Sequence, residues 1–150
     1  MRLQDKVIIV TGSTTGIGEA IALRCLREGA KVLIHGRDRA RAESIAKSHA
    51  GRAVVHLNSL EDPDAPRQIV EATVRAFGRI DGVVNNAALV LRSNIYDTSA
   101  AVFDRILAVN VRAPLLLIQA RPALLEGIAG SGAQHRFAEC LFGGRKPAGI

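Results

Sequence analysis

Two kinds of apolar pattern alternate along the first 126 residues. Lys6-Val7-Ile8-Ile9-Val10 is a short continuous apolar run ending at Thr11-Gly12, as expected of a strand buried in a parallel sheet. From Ile17 to Glu28, the residues Ile17, Ala20, Ile21 and Cys25 recur at helical spacing, and Gly29 supplies a stop. Lys31-Val32-Leu33-Ile34 repeats the strand pattern, and Asp38 to Ala50, rich in Ala, Arg and Glu, predicts a helix ended by Gly51. Ala53 to Leu57 predicts a third strand. Glu61-Asp62-Pro63 opens the next helix, which runs to Phe77 before Gly78, and Gly82 to Asn85 is a fourth strand. Thr98 or Ser99 caps a long helix to about Leu125, with Ile106, Val109, Leu117 and Leu124 among its apolar positions. Pro114 and Pro122 are expected to kink or shorten it.

Strand–helix alternation of this kind implies βαβ units with right-handed crossovers on a parallel sheet, so the expected class is α/β. From Gly127 onward neither period persists. Residues 127–150 form an irregular Gly-, Arg- and Lys-containing tail where a fifth strand would be expected. The expected division is a nucleotide-binding unit over 1–126 and this tail.

Composition narrows the function classes. Of 150 residues, 48% are apolar and 23% charged, which fits one globular domain and excludes global disorder. Aromatics are 3% with no Trp, against a stacking platform for single-stranded nucleic acid. The net charge is +6, but the basic residues are mostly Arg spread among acids, so a solvated surface is expected rather than a nucleic-acid footprint. The longest uncharged apolar stretch, Ala113 to Ala120, contains a Pro and is far too short for a bilayer. No apolar h-region lies near Met1, so the expectation is a cytoplasmic protein without a membrane partner. Cys25 and Cys140 form neither a C-x-x-C pair nor metal-ligand spacing with the four His, so reduced thiols and no metal are expected.

The sharpest local signal is Thr11-Gly12-Ser13-Thr14-Thr15-Gly16-Ile17-Gly18, between the first strand and the first helix. Gly12 permits a tight turn, Gly16 lets the backbone approach a pyrophosphate, and Gly18 lets helix and strand pack closely. The helix N-terminus adds unpaired N–H groups and a positive dipole end. This pattern, following a strand and opening a helix, points to nucleotide binding.

The spacing G-x-x-x-G-x-G, with Thr11 before it and Ile17 inside it, resembles that of the short-chain dehydrogenase/reductase family. Three further segments are similar to it. Asn85-Asn86-Ala87-Ala88 follows the fourth strand, where the family usually has Asn-Asn-Ala-Gly. Asn110, within Leu107-Ala108-Val109-Asn110-Val111, matches the family's helical asparagine, and Phe77-Gly78-Arg79-Ile80-Asp81 is similar to its lead-in to the fourth strand. The resemblance covers Met1 to about Glu126. It implies a doubly wound Rossmann-type sheet of order 3-2-1-4, a small carbonyl or alcohol substrate, and a homo-oligomer in full-length form through the long helix and its Leu115-Leu116-Leu117-Ile118 stretch. It also implies cofactor contacts at Gly12, Ser13, Thr14, Thr15, Gly16, Ile17, Gly18, Asn86, Ala87 and Ala88, and a proton-relay water held by Asn110. An amide both donates and accepts, which suits that last role.

Cofactor choice is read from Leu33-Ile34-His35-Gly36-Arg37-Asp38-Arg39. NAD recognition wants an acid near this strand end to accept from the ribose hydroxyls. Gly36 stands at that place, leaving room, and the Arg37 guanidinium can pair bidentately with a 2′-phosphate. NADP is expected, with NAD as the alternative, since Asp38 could take the ribose. After the third strand, Ser59-Leu60 matches the place where the family usually has an acid and an apolar residue near the adenine.

The family's chemistry depends on a Ser and a Tyr-x-x-x-Lys after the fifth strand, the Lys lowering the Tyr pKa from about 10. Tyr96 is the one Tyr of the chain, and four residues beyond it stands Ala100. These 150 residues are therefore expected to lack the catalytic set. In one permitted codon choice, skipping a single base in Gly132 to Ile150 reads VLNIGSRNAYSGEGNLLA, which resembles the family's fifth strand and catalytic Ser. The expectation is a frameshifted tail and a catalytically incomplete chain; the alternative is a non-catalytic nucleotide-binding half-domain.

Overall fold

The structure, a computed structural model, describes residues 1–91 and 94–125. Glu126 and the tail expected to be irregular lie outside the described residues. Four parallel strands, Val7–Val10 (β1), Lys31–His35 (β2), Ala53–His56 (β3) and Gly82–Val84 (β4), form one sheet of order β3-β2-β1-β4. The helices are Gly16–Arg27 (α1), Arg39–Ser48 (α2), Ala65–Phe77 (α3), Ala100–Leu107 (α4) and Ala113–Leu125 (α5). A π-helical turn, Ala108–Arg112, joins the last two.

Each apolar strand feeds two cores because its side chains alternate between faces. Ile9 and Leu33 join Ile69 and Val70 of α3 and Leu117 of α5 on one face. Val10, Val32 and Ile34 join Ala22 and Leu26 of α1 and Ala42 and Ile45 of α2 on the other. The continuous apolar runs are explained by this double coverage. Among the described residues no helix is long and apolar enough to cross a membrane.

Three expectations need correction. The third helix begins at Ala65, not Glu61, because the Asp62 carboxylate accepts the Asp64 N–H at 2.9 Å and holds a turn there. Pro66, rather than Pro63, sits in its first turn, where no N–H is needed. The long helix is interrupted only at Pro114. Proline has no N–H for the carbonyl of Asn110 and its ring crowds that carbonyl, and the helix widens just before it, with the Ala113 N–H reaching back to Ala108. Pro122 does not break α5, which continues to Leu125. Finally, Leu117 is fully buried against α3 within this chain, and it is Leu115 that points outward.

Candidate cofactor-binding site

The glycine-rich turn between β1 and α1 has the geometry its residues permit. Gly12 and Gly16 take φ of +63° and +56°, the left-handed region that favours glycine. A Cβ on Gly18 would collide with the Gly12 carbonyl and the Asn86 side chain, so helix and strand meet only because it is glycine. A Cβ on Gly16 would meet nothing within 4 Å; the backbone there is bare. Thr15, the N-cap of α1, makes no side-chain capping bond, so its side chain leaves the first N–H groups of the helix uncapped.

The turn is gripped from both sides. The Thr11 hydroxyl accepts the N–H groups of Asn86 and Ala87, each at 3.1 Å. The Asn86 amide donates to the carbonyls of Thr11 and Gly12 at 3.0 and 3.1 Å. On the β2 side, the Ser13 N–H donates to the His35 carbonyl at 2.7 Å, and the His35 N–H donates to the Ser13 hydroxyl at 2.9 Å.

These elements frame a groove of about 510 Å³ at the C-terminal ends of the strands. It is lined by Gly12, Thr14, Thr15, Gly16, Ile17, Gly18, Arg37, Ser59, Leu60, Asn86, Ala87 and Ala88, all expected from the sequence. Ser13 is not in the lining; it is buried with its hydroxyl spent on β2. Sequence reasoning missed His35, Asn58, Glu61, Leu89 and Val109 as lining residues. Their one available signal was position, since each follows or ends a strand or lies on the helix crossing the groove. Glu61 is held by Arg105 of α4 through two bonds of 2.9 and 3.0 Å, which keep its carboxyl below the ordinary carboxylate range. The Arg112 guanidinium donates to the Glu61 carbonyl.

At the end of β2 the carboxylates are already engaged. Asp38 caps α2 by accepting the Arg41 N–H at 2.9 Å, Arg39 pairs with Glu43, and Arg41 pairs with Glu19. Arg37, exposed at the groove, makes no hydrogen bond or salt bridge with any described residue. One expectation is corrected: the space above Gly36 is not empty, because the Thr14 side chain fills it and leaves no place for a Cβ.

Asn110 does not line the groove. Its side chain is bound to the backbone of Leu89, which does. Tyr96 is 95% exposed in the turn before α4 and stands outside the groove.

The sequence model of the family described as short chain dehydrogenase matches residues 6–132. The chain belongs to the short-chain dehydrogenase family. It is 42% identical over 123 residues to short-chain dehydrogenase/reductase FrzI of a Cladobotryum species, an alignment covering 79% of this chain and 47% of that one. It is 39% identical over 112 residues to the NADP-dependent (R)-specific alcohol dehydrogenase of Lentilactobacillus kefiri, covering 73% and 44%. A solved short chain dehydrogenase of Burkholderia cenocepacia in complex with NADP superposes with a TM-score of 0.76 at 36% identity, covering 80% of this chain and 51% of that one. This short-chain dehydrogenase chain thus spans about half the length of the relatives it matches.

Proposed function

We propose that this chain binds NADP(H) in the groove above β1–β4, as the N-terminal, cofactor-binding part of an oxidoreductase acting on a small carbonyl or alcohol compound. When bound, the nicotinamide supplies or takes the hydride. The chain's own contribution is to hold it: the bare Gly16 backbone and the uncapped start of α1 suit a pyrophosphate, while Ile17 and Leu60 offer apolar surface. The observation that carries the choice of NADP is Arg37, exposed beside the groove and in no salt bridge with a described residue, its charge acting on Glu61 only through space, while Asp38 caps α2. Ser59 and Leu60 line the same groove beyond Arg37, in keeping with an adenine site.

Asn110 takes part by holding Leu89, and its second amide N–H and lone pair suit the relay water that the resemblance implies. Proton transfer to the substrate needs a Ser, a Tyr and a Lys that this 150-residue sequence lacks in the required spacing, and the proposed frameshift near Gly132 accounts for that. Calorimetric titration of the chain with NADP and with NAD tests the binding reading. Tighter binding of NADP is expected; heat from neither nucleotide overturns it. The alternative, a nucleotide-binding unit without catalysis, shares this groove and is separated by restoring the frame.

A further inference from the structure

His35 ends β2 beneath the groove, 3% exposed, and both of its ring nitrogens are engaged. Nδ1 lies 3.3 Å from the Gly12 nitrogen, and Nε2 lies 3.0 Å from Asn58 Oδ1. Backbone groups at the two ends of this chain of bonds decide where the proton sits. The Asn58 amide nitrogen reaches the Ala65 carbonyl at 3.3 Å, a group that only accepts, and also Gln68 Oε1 at 3.1 Å and His56 Nε2 at 3.2 Å. Asn58 therefore turns its oxygen toward His35, whose Nε2 must carry the hydrogen. That leaves Nδ1 bare to accept from the Gly12 N–H, a group that only donates.

We propose that His35, held by Asn58 as the neutral Nε2–H tautomer, is a positioning residue that sets the Gly12 end of the glycine-rich turn for the nucleotide, and that a proton on His35 releases the turn and weakens binding. The proposal rests on the cofactor reading above. Protonation would place two N–H donors face to face across 3.3 Å, at a turn pinned on its other side by Asn86. The groups facing the ring are Gly12 from the turn, Asn58 and His56 from the β3 end and, through Asn58, Gln68 of α3, while Ser13 is bonded to the His35 backbone. Among the described residues the one titratable group acting on it is His56, which opposes a positive charge on the ring and is itself influenced by Arg75. Burial pushes the His35 pKa down, and the bonds to Asn58 restore part of it, so the ring is neutral at pH 7.

Two variants separate positioning from simple packing. In His35→Asn the side-chain oxygen falls where Nδ1 lies and can still accept from Gly12. In His35→Gln the amide reaches toward Asn58 but leaves the Gly12 N–H without its acceptor. NADP dissociation constants measured on the 150-residue chain from pH 5 to 8 should show His35→Asn within about threefold of the parent at pH 8, and His35→Gln at least about tenfold weaker, on the scale of one buried hydrogen bond. The parent should lose more affinity toward pH 5 than His35→Asn, since the titrating phosphate of NADP is common to both. Equal losses in the two variants, or the same acid loss in parent and His35→Asn, overturn the proposal. So does an Nδ1–H tautomer in the imidazole nitrogen spectrum of the parent at pH 7.5, a measurement that needs no variant to fold. If the parent binds no nucleotide, the cofactor reading fails on its own. The Gly12 amide resonance then decides the remaining half: movement with His35 protonation supports the clamp, and a fixed resonance rejects it.

Discussion

Asn110 and Leu89 are joined by a two-way bond: the Asn110 side-chain oxygen accepts the Leu89 N–H at 2.8 Å, and its amide nitrogen donates to the Leu89 carbonyl at 3.0 Å. The pairing satisfies both backbone groups of a residue in an extended loop that has no strand partner for them. It is made possible by the π-helical turn ahead of Pro114, which carries Asn110 out of regular helical register. A helix without Pro114 would bring that side chain to a different place along its face.

Asn110→Ala should therefore loosen the wall of the groove at residues 86–89. Two bonds at a solvent-exposed position are lost, so a destabilisation of about 1–2 kcal/mol is expected by chemical denaturation. Amide exchange at Leu89 should quicken more than elsewhere. Unchanged protection at Leu89 would show that the loop holds itself.

Arg37→Ala should weaken NADP far more than NAD. A charge-assisted bidentate contact is worth roughly 1.5–3 kcal/mol, or about ten- to hundredfold in affinity. Parallel titrations with the two cofactors read the difference directly, and equal small losses would make Arg37 a bystander.

The chain should lose stability as the pH falls below about 6.5, the ordinary histidine value. Burial lowers the pKa of both His35 and His56 in the folded chain. Between the folded and unfolded pKa values the unfolded chain binds more protons, so stability rises with pH in that window and is lost on acidification. Melting temperatures from pH 7 to 5 should fall, and His35→Asn should fall less. A flat profile contradicts this.

Phe103, Leu107, Val111 and Leu115 recur every fourth residue across α4, the π-helical turn and α5, and each is exposed. An apolar strip of this kind favours association. Light scattering on the purified chain should give a mass above that of a monomer, and replacing Phe103 and Val111 by Ser should reduce it. A parent that is already monomeric at high concentration defeats the expectation.

On the frameshift reading, restoring the frame near Gly132 should raise NADPH oxidation with ketones or aldehydes well above that of the 150-residue chain. General acid–base help contributes about 10²–10⁴-fold, and no substitution among residues 1–131 supplies a Tyr–Lys pair at the right place. Comparable turnover by the two proteins at equal concentration would mean that a group already present performs the proton transfer.

Local physics made much of this molecule readable before any fold was in view. Continuous apolar runs at Val7–Val10 and Val32–Ile34 fit strands covered on both faces, and glycines spaced as Gly12, Gly16 and Gly18 stand where a tight turn and a close helix–strand approach require them. Charge placement at Arg37 was legible for the same reason, because a strand end presents its next residues to the groove. What only the tertiary structure decided depends on groups far apart in sequence. His35 and Asn58 matter because β2 and β3 end side by side, bringing a ring nitrogen to Gly12, 23 residues away. Thr14 fills the space above Gly36, and Asn110 meets Leu89 across 21 residues, because packing and one proline-induced widening put them there. A side chain's hydrogen-bond capacity is written in its chemistry, but its partner is chosen by the fold, since desolvation penalises every buried donor left unpaired and only the assembled sheet determines which acceptor is within reach.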